Sequence, residues 1–374
     1  MKKTLIQSFA AVAFVLILAS WGYKGHKSIN SHVTLYFNAE MSQFVSWSST
    51  LEAHASDADN RKDSHDPNYD PNEKPKHYLD IEYYSEFTST GTIPKTLNEA
   101  IVKHGTTNVY KWGIVPWATK TTYDTLVACF RRGDLDKAVL TAADLGHYVG
   151  DGHMPLHISA NYDGVMTDQK GVHSRYESDM VDAYINNLNG AYPSQPESIS
   201  IISDVQQYIL DYIYVTHSYV DTVLKSDNYA KALDTSYGDV YVAAMWARLG
   251  DITKQLFQES SHCIAELIYT AYDESLRTTG INDVVTTSGI TLEQNFPNPF
   301  SDITKIQYSL AQTANVQVFV LDTQGKAIAT LANGQKPAGV YSVDFIPTTL
   351  SSGVYFLVLK SNNYVETKRM VLIK

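Results

Sequence analysis

The chain has 374 residues, 44% of them hydrophobic, which is enough for two domains with sizeable cores. Its net charge is −11 and it contains no run of basic residues, which disfavours tight binding of double-stranded DNA through its phosphates. Cys129 and Cys263 are the only cysteines, so the sequence has neither a disulfide framework nor a Cys-based zinc finger, and their pairing stays open.

Residues 1–20 have the organisation of a signal peptide. Two lysines follow Met1, and residues 5–19 form an apolar stretch that is shorter than the about 20 residues of a membrane span. Ser20 is a small residue suited to the position before cleavage, so we expect a mature chain that begins at Trp21. We therefore expect an exported protein and no later segment that spans a bilayer.

Residues 21–275 predict a mainly α-helical domain, because apolar residues recur at helical spacing and strand-like alternation is nearly absent. The candidate helices are 28–37, 96–104, 123–131, 135–149, 174–188, 201–223 and 230–272, the last broken near 236–238. The polar stretch 57–76 repeats Asp-Pro-Asn and is expected to be a solvated loop, with a calcium site as the alternative.

The composition changes after residue 275. Residues 276–291 form a linker rich in Thr, Gly and Ser, and residues 292–374 contain short β-branched runs between turn residues. The candidate strands are 303–310, 316–321, 326–331, 340–345, 354–359 and 367–373. This pattern predicts a small antiparallel β-sandwich, and without His or Cys it is not expected to carry chemistry.

The helix predicted over 135–149 runs into a motif rich in potential metal ligands. His147 and Asp151 are four residues apart, which places both side chains on one helix face. Pro155 ends or kinks the helix, and His157 follows just beyond it. Imidazole nitrogens and carboxylate oxygens are ligands of zinc, although a polar helix end with solvated histidines is the simpler alternative.

Four further segments offer ligands. Trp21 would provide a free α-amine five residues before His26, and His77 is followed by the aromatic Tyr78. His173 and Glu177 form a second pair spaced for one helix face. The remaining segment combines two carboxylates with two cations: Asp57, Asp59, Arg61 and Lys62.

These residues, in this order, resemble the superfamily that joins zinc-dependent phospholipase C to the single-strand-specific nucleases of the S-one/P-one type. The resemblance covers residues 21–275 and implies a helical catalytic domain with three zinc ions per chain. It assigns the zinc ligands in three groups: Trp21 and His26; Asp59, His77, His147 and Asp151; and His157, His173 and Glu177. It also implies that Asp151 bridges two ions.

The departures from the family pattern concern the substrate. The spacing from Trp21 to His26 is that of the nucleases, whereas Glu177 is the acid found in the phospholipases. The nuclease pattern prefers Asp59 as the ligand, with Asp57 as the alternative, and points to Lys62 as the catalytic cation, with the adjacent Arg61 as the alternative. The resemblance also implies that His153 is not itself a zinc ligand. Its expected role is to contact a ligand from behind, outside the first coordination sphere.

The expected chemistry is hydrolysis of a phosphodiester by a zinc-bound hydroxide, with Asp59, Lys62 and Asp151 as catalytic residues. Our first expectation is a nuclease of single-stranded DNA or RNA, with removal of 3′-phosphates as an additional activity. Tyr78 would stack on a base and Asp80 would accept from its amino group.

Three other interpretations remain. The first alternative is a phospholipase C, which requires an apolar rim for acyl chains. A surface adhesin with closed, structural metal sites is the second. A histidine-aspartate phosphohydrolase fits poorly, because the only His-Asp pair, His65-Asp66, lies in the polar loop. No obligate protein partner is evident.

The C-terminal sandwich resembles the sorting domain of the type IX secretion system. The matching segments are 295–300, 353–356 and 368–374, and the alternative is an ordinary carbohydrate-binding-like module. The resemblance implies that the type IX machinery carries the protein across the outer membrane, to the cell surface or the surroundings.

Overall fold

A computed structural model of the chain describes residues 21–277 and 290–374, except 296, 311, 324, 349 and 362–363. The predicted signal peptide and most of the predicted linker lie outside the described residues. The chain divides into two compact units, Met1–Arg277 and Thr278–Lys374. None of the helices described is both long and apolar enough to cross a membrane.

The first unit is helical. Its α-helices are α1 (Gly22–His32), α2 (Ser48–Ala53), α3 (Asp57–Asn60), α4 (Ser85–Thr90), α5 (Leu97–His104), α6 (Thr106–Trp112), α7 (Val115–Arg132), α8 (Leu135–Gly152), α9 (Val172–Ser174), α10 (Val181–Asn189), α11 (Val205–His217), α12 (Val220–Leu233) and α13 (Asp239–Leu276). Short 3₁₀ helices cover Val33–Tyr36, Ala39–Trp47, Lys74–His77, Ile81–Tyr83, Pro155–Ile158 and Val165–Thr167, and a π-helix covers Arg175–Met180.

Helix α8 lies at the centre of this unit. It contacts α1, α2, α7 and α13, and every residue from Leu145 to Gly152 is buried. Two glycines allow α1 to approach it closely. A Cβ atom at Gly146 would lie 2.1 Å from Asn30 Oδ1, and one at Gly150 would lie 3.1 Å from the His26 ring. The close approach brings the His26 ring onto α8, where it stacks on His147 with 4.0 Å between ring centroids.

The predicted helices are present, but their bounds differ, and three of the differences concern the site or the continuity of a helix. The first begins at Gly22 rather than 28, directly after Trp21, whose indole donates to Gly150 O at 2.6 Å. The helix predicted over 201–223 is divided between α11 and α12 at residues 218–219, where the Ser218 hydroxyl donates to Val215 O at 2.6 Å. The helix predicted over 174–188 contains the π-helical turn.

The break predicted near residues 236–238 is present between α12 and α13. The Asp234 carboxylate causes it, because it accepts hydrogen bonds from the backbone amides of Ser236 and Gly238, both at 2.9 Å.

The second unit is an antiparallel β-sandwich. Its strands are β1 (Ile290–Leu292), β2 (Thr304–Leu310), β3 (Ala314–Leu321), β4 (Ala327–Lys336), β5 (Gly339–Phe345), β6 (Gly353–Ser361) and β7 (Tyr364–Leu372). They form two sheets with the orders β1-β2-β5 and β4-β3-β6-β7. Strand β1 was not predicted, because its three residues fall at the end of the Thr/Gly/Ser-rich segment.

Alternation along the strands builds the core between the two sheets. In β2, Ile306, Tyr308 and Leu310 are buried, whereas Lys305 and Gln307 are exposed. The register of the first sheet pairs Tyr308 with Tyr341, and that of the second pairs Val318 with Leu359. The predicted fold class, a helical domain followed by a small all-β sandwich, is confirmed.

Candidate metal centre

Three buried groups of histidine and carboxylate side chains meet around the end of α8. They are Asp59, His77 and His147; His157, His173 and Glu177; and His26, His147 and Asp151. Following the ligand sets that the family resemblance implies, we call Asp59, His77, His147 and Asp151 site 1, His157, His173 and Glu177 site 2, and Trp21, His26 and Asp151 site 3. Their side chains come from α1, α3, α8, α9, the π-helix and two 3₁₀ helices. Folding thus joins residues that are separated by more than a hundred positions in the sequence.

Site 1 brings four candidate ligand atoms around His147 and His77. His147 Nε2 lies 3.1 Å from His77 Nδ1, 3.4 Å from Asp59 Oδ1 and 3.3 Å from Asp151 Oδ2. His77 Nδ1 lies 3.5 Å from Asp59 Oδ1 and 2.9 Å from Asp151 Oδ2. The two imidazole nitrogens thus lie within 3.5 Å of each other and of both carboxylate oxygens.

Site 2 has three convergent atoms. His157 Nε2 is 3.2 Å from His173 Nε2 and 3.6 Å from Glu177 Oε2, and the last two atoms are 3.0 Å apart. His157 lies in the 3₁₀ helix that begins at Pro155, and its carbonyl oxygen accepts from Leu79 N at 2.8 Å. This backbone bond ties site 2 to the segment that carries His77.

Asp151 belongs to more than one group because its two oxygens face different neighbours. Oδ2 faces His77 and His147 in site 1. Oδ1 lies 3.6 Å from His26 Nε2 and 3.2 Å from His157 Nδ1. The carboxylate is completely buried, so both oxygens are available only to these neighbours.

Site 3 consists of Trp21, His26 and Asp151, and His26 Nε2 lies 3.6 Å from Asp151 Oδ1. The Trp21 side chain is completely buried and packs on Tyr176 and Phe257, with ring centroids 5.6 and 5.0 Å away. These contacts and the hydrogen bond to Gly150 fix the side chain of the residue at which the mature chain is expected to begin.

The donor set and its spacing fit zinc. A tetrahedral ion with bonds of about 2.0–2.2 Å holds its ligand atoms about 3.3–3.6 Å apart, close to the separations in sites 1 and 2. The buried oxygens Asp151 Oδ1 and Glu177 Oε2 make no hydrogen bond of good geometry with the described residues. Buried polar atoms without such partners need another partner, and a bound cation would supply it.

Contacts behind the ligand atoms orient the imidazole rings. His147 Nδ1 lies 2.8 Å from Ala55 O, which directs Nε2 towards site 1. Glu73 Oε1 lies 3.4 Å from His77 Nε2, and this buried carboxylate is held by Tyr148, Arg61 and Lys76. Carboxylates and carbonyls in these positions raise the basicity of a ligating histidine.

The charges in the centre shift several pKa values. Burial opposes ionisation of Asp59 and Asp151, but the neighbouring His147 lowers the pKa of both carboxyls. Burial also opposes protonation of His147, yet Asp151 and Asp59 raise its pKa to about 10. Burial and the proximity of His147 lower the pKa of His26 to about 4. A cation that enters site 1 must therefore displace a proton held by the same ligands.

The structure distinguishes between the neighbouring candidates in the segment 57–62. Asp59 is buried in site 1, whereas Asp57 is half exposed and pairs with His54 at 2.6 Å. Lys62 Nζ lies 2.5 Å from Asp59 Oδ1. Arg61 turns away from the centre and pairs with Glu73 and Asp144, at 3.2 and 3.1 Å.

The predicted substrate residues lie beside the centre. Tyr78 follows His77 directly, is partly exposed and donates to Lys111 O at 3.1 Å. Asp80 is partly buried, and burial followed by the charge of Glu82 raises its pKa to about 7. Asp80 therefore titrates near neutral pH, which an ordinary aspartate does not.

His153 and the two cysteines lie outside the three sites. His153 is buried, stacks on Tyr212 with ring centroids 4.4 Å apart, and its Nδ1 lies 2.8 Å from Val149 O. Burial lowers its pKa to about 4. Cys129 and Cys263 are buried as free thiols.

Sequence reasoning missed two neighbours of the centre. Glu73 was placed in a solvated loop, but it is completely buried behind His77; its spacing of four residues from His77 is the signal that was available. Tyr162 stands over site 2, with its ring 5.7 Å from that of His173. No local pattern marks Tyr162, because its position depends on how the loop between His157 and His173 folds back.

Residues 294–374 match the family model of the secretion system C-terminal sorting domain. The second unit is thus a type IX secretion sorting domain, as its motifs predicted, and it interacts with the secretion machinery. The protein is exported across the outer membrane, to the cell surface or the surroundings.

No curated protein matches the sequence significantly. Solved structures similar to this chain include the alpha toxin from Clostridium absonum, which is 11% identical with a TM-score of 0.40. They also include the Clostridium perfringens alpha-toxin isolated from avian strain SWCP, 12% identical with a TM-score of 0.42. Both alignments cover 94% of this chain and 98% of the toxin. At these values neither toxin indicates the substrate of this chain.

Proposed function

We propose that the protein is a secreted, zinc-dependent phosphodiester hydrolase with three ions per chain. The observation that carries this proposal is Asp151, a buried carboxylate whose two oxygens are shared between site 1 and the neighbouring His26 and His157. Zinc ions held by these residues would polarise phosphoryl oxygens and lower the pKa of bound water. His157, His173 and Glu177 offer three ligands, the number that the protein supplies in catalytic zinc sites.

The chain's own residues would supply the remaining chemistry. Asp59 is kept ionised by its neighbours, so it would orient the attacking water by accepting a hydrogen bond from it. Lys62, whose ammonium group contacts Asp59, would offset negative charge on the phosphoryl oxygens in the transition state. We therefore assign Asp59, Lys62 and Asp151 as the catalytic residues.

For the substrate we favour a phospholipid head group. The loop between His157 and His173 exposes three large apolar side chains: Tyr162 is 46% exposed, Val165 66% and Met166 64%. Tyr162 contacts His173, so this apolar loop begins at the edge of site 2. An exposed apolar patch beside a catalytic site suits a substrate whose acyl chains lie in a membrane.

Single-stranded nucleic acid is the second candidate. It rests on the spacing of Trp21 and His26, and on Tyr78 and Asp80 beside site 1. An aromatic ring next to the reacting phosphate would stack on a base, while Asp80, when ionised, would accept from an exocyclic amino group. The same centre would then cleave a phosphodiester between nucleotides.

The deciding experiment compares substrates on zinc-loaded protein that begins at Trp21. Release of phosphorylated head group from phosphatidylcholine vesicles, at a rate well above that of single-stranded DNA or RNA cleavage, is the expected result. Faster cleavage of DNA or RNA would reverse the ranking of the two candidates. Full zinc content without hydrolysis of any of the three would contradict an enzymatic function and support a surface protein with structural metal sites.

The apolar loop is tested separately. Val165→Asp combined with Met166→Asp should reduce vesicle hydrolysis while leaving hydrolysis of a small soluble phosphodiester unchanged. Val102→Asp is the matched control, because Val102 is 79% exposed and lies on α5. Equal activity of the loop variant and the control on vesicles would contradict the lipid assignment.

A further inference from the structure

Arg175 lies between His173 and Glu177 in the sequence but turns away from both. It is the first residue of the π-helix Arg175–Met180, and only 8% of it is exposed. A guanidinium group stays charged at any physiological pH, so its burial requires a fixed set of acceptors.

Asp227 on α12 provides the counter-charge. Arg175 Nε and Nη2 donate to Asp227 Oδ1 at 3.1 and 2.8 Å. Asp227 is completely buried, and it also accepts from the Tyr241 hydroxyl of α13 and, through Oδ2, from Gln169 Nε2 at 2.8 Å. Both oxygens are therefore used, and the pair connects the π-helix with two long helices.

The same guanidinium holds the end of the loop that leads to site 2. Nη1 donates to Lys170 O at 2.9 Å, and Nη2 donates to Gln169 O at 3.1 Å. Gly171 makes this possible: its φ is +89°, and a Cβ atom there would lie 2.7 Å from Arg175 Nη1. The Tyr237 ring closes the other side, 4.2 Å from the guanidinium carbon.

The contacts have a consequence for site 2. His173 comes two residues after Gly171, and Glu177 comes two residues after Arg175, so both ligands are attached to backbone that the guanidinium fixes. A π-helical turn is rare and is found mostly at functional sites, and here it begins between the two ligands and carries Glu177. The ligand atoms of His173 and Glu177 lie 3.0 Å apart across its start.

We propose that Arg175, paired with Asp227, is a positioning residue that holds His173 and Glu177 in the geometry needed to bind the ion of site 2. This inference rests on the proposed function only in that site 2 holds a metal ion. Outer contacts of this kind typically change metal affinity about 10- to 100-fold. The effect is confined to one of the three ions, because sites 1 and 3 take no ligand from this turn.

The test uses Arg175→Lys, which keeps the charge but loses the planar fork of donors. Zinc-loaded protein is dialysed against graded chelator, and zinc per chain is measured together with the melting temperature. We expect one zinc ion per chain to leave at a chelator concentration about 10- to 100-fold lower than in the wild type. The other two ions should leave as in the wild type, and excess zinc should restore activity.

Arg248→Lys is the matched control. Arg248 also bridges α13 and α12, since it lies over the Tyr229 ring at 4.7 Å and its Nε is 3.4 Å from Ser226 Oγ. The Arg248→Lys variant should leave the zinc profile unchanged, even where it lowers the melting temperature. A zinc profile of Arg175→Lys equal to that of the wild type or of Arg248→Lys would overturn the proposal.

A second variant covers the case in which Arg175→Lys does not fold. Gly171→Ala leaves the guanidinium chemically intact but displaces it, and it should release the same single zinc ion early. Retention of all three ions in folded Gly171→Ala would overturn the inference. If wild-type protein binds no ion through His157, His173 and Glu177, the proposed function itself is contradicted, and the role of Arg175 falls with it. This outcome differs from an unchanged zinc profile in the variants, which contradicts the role of Arg175 alone.

Discussion

Replacing Asp151 with Asn is the most direct perturbation of the centre. The carboxamide has nearly the size of the carboxylate, but it has one oxygen instead of two and no negative charge. In the wild type, Oδ2 meets His77 and His147, and Oδ1 meets His26 and His157, at 2.9–3.6 Å. The variant therefore loses the shared ligand while the helix that carries it is retained.

The size of the effect follows from the lost charge. With an effective dielectric constant of about 20, two unit charges 4 Å apart interact by about 4 kcal/mol. A carboxylate that ligates a divalent ion is closer and faces twice the charge, so this value is a lower bound. Because about 1.4 kcal/mol is a factor of ten, we expect affinity for at least one ion to fall about a thousandfold or more.

The assay combines metal content with turnover. Elemental analysis of Asp151→Asn after dialysis should show fewer ions per chain than the wild type, and phosphodiester hydrolysis should fall to background. Asp144→Asn is the control for the same chemical change on the same helix, because Asp144 pairs with Arg61 outside the three sites. The Asp144→Asn variant should keep its metal ions and most of its activity.

Normal turnover of Asp151→Asn with a full complement of zinc would refute the reasoning. In that case neither the two-sided placement of the Asp151 oxygens nor its charge contributes to the centre. Loss of metal from the Asp144→Asn control to the same extent would also refute it, because the effect would then belong to the helix and not to the ligand.

Four further predictions follow from the structure. His157→Ala and Glu177→Ala should each lose mainly one zinc per chain, and three ions in both variants would exclude site 2. A chain that ends at Arg277 should fold and keep its zinc, since the first unit is compact by itself; early melting or metal loss would contradict this. Protein that begins at Trp21 should bind one more zinc ion, and be more active, than protein with two extra residues before Trp21. The reason is that an amide nitrogen cannot replace a free α-amine as a ligand. Equal zinc content in the two proteins would contradict this prediction. Asp80→Asn should raise the melting temperature of chelator-treated protein at pH 8 but not at pH 4. The pKa of Asp80 is raised from 3.8 to about 7 in the folded chain. Between these pH values the unfolded chain loses the Asp80 proton more readily than the folded chain, so the folded state loses stability as the pH rises. Equal melting shifts at both pH values would show that burial does not perturb this carboxyl.

Local spacing was enough to predict the longer helices, most strands and part of the centre. His147 and Asp151 share one face of α8, and His173 lies beside Glu177, because a helical turn brings residues four apart together. The alternation of buried and exposed residues in the C-terminal strands likewise follows from the period of two of a β-strand. Such patterns depend only on neighbouring residues.

The sequence left two choices open, between Asp57 and Asp59 and between Arg61 and Lys62, and tertiary contacts separate the members of each pair. Asp59 lies in site 1 and Lys62 contacts it, whereas Asp57 is held by His54 and Arg61 by a buried carboxylate. Neighbours in a short helix point in different directions, and the direction that meets α8 depends on how distant segments pack. No spacing rule contains that information.

Three features of the centre exist only in the folded chain. Gly150 lets His26 stack on α8, Asp151 turns its oxygens to different neighbours, and Arg175 reaches Asp227 on another helix. Each depends on contact between residues more than fifty positions apart. The sequence determined the kinds of ligand and their order, but the packing around α8 determined which atoms meet, because only close packing fixes distances between segments that are not covalent neighbours.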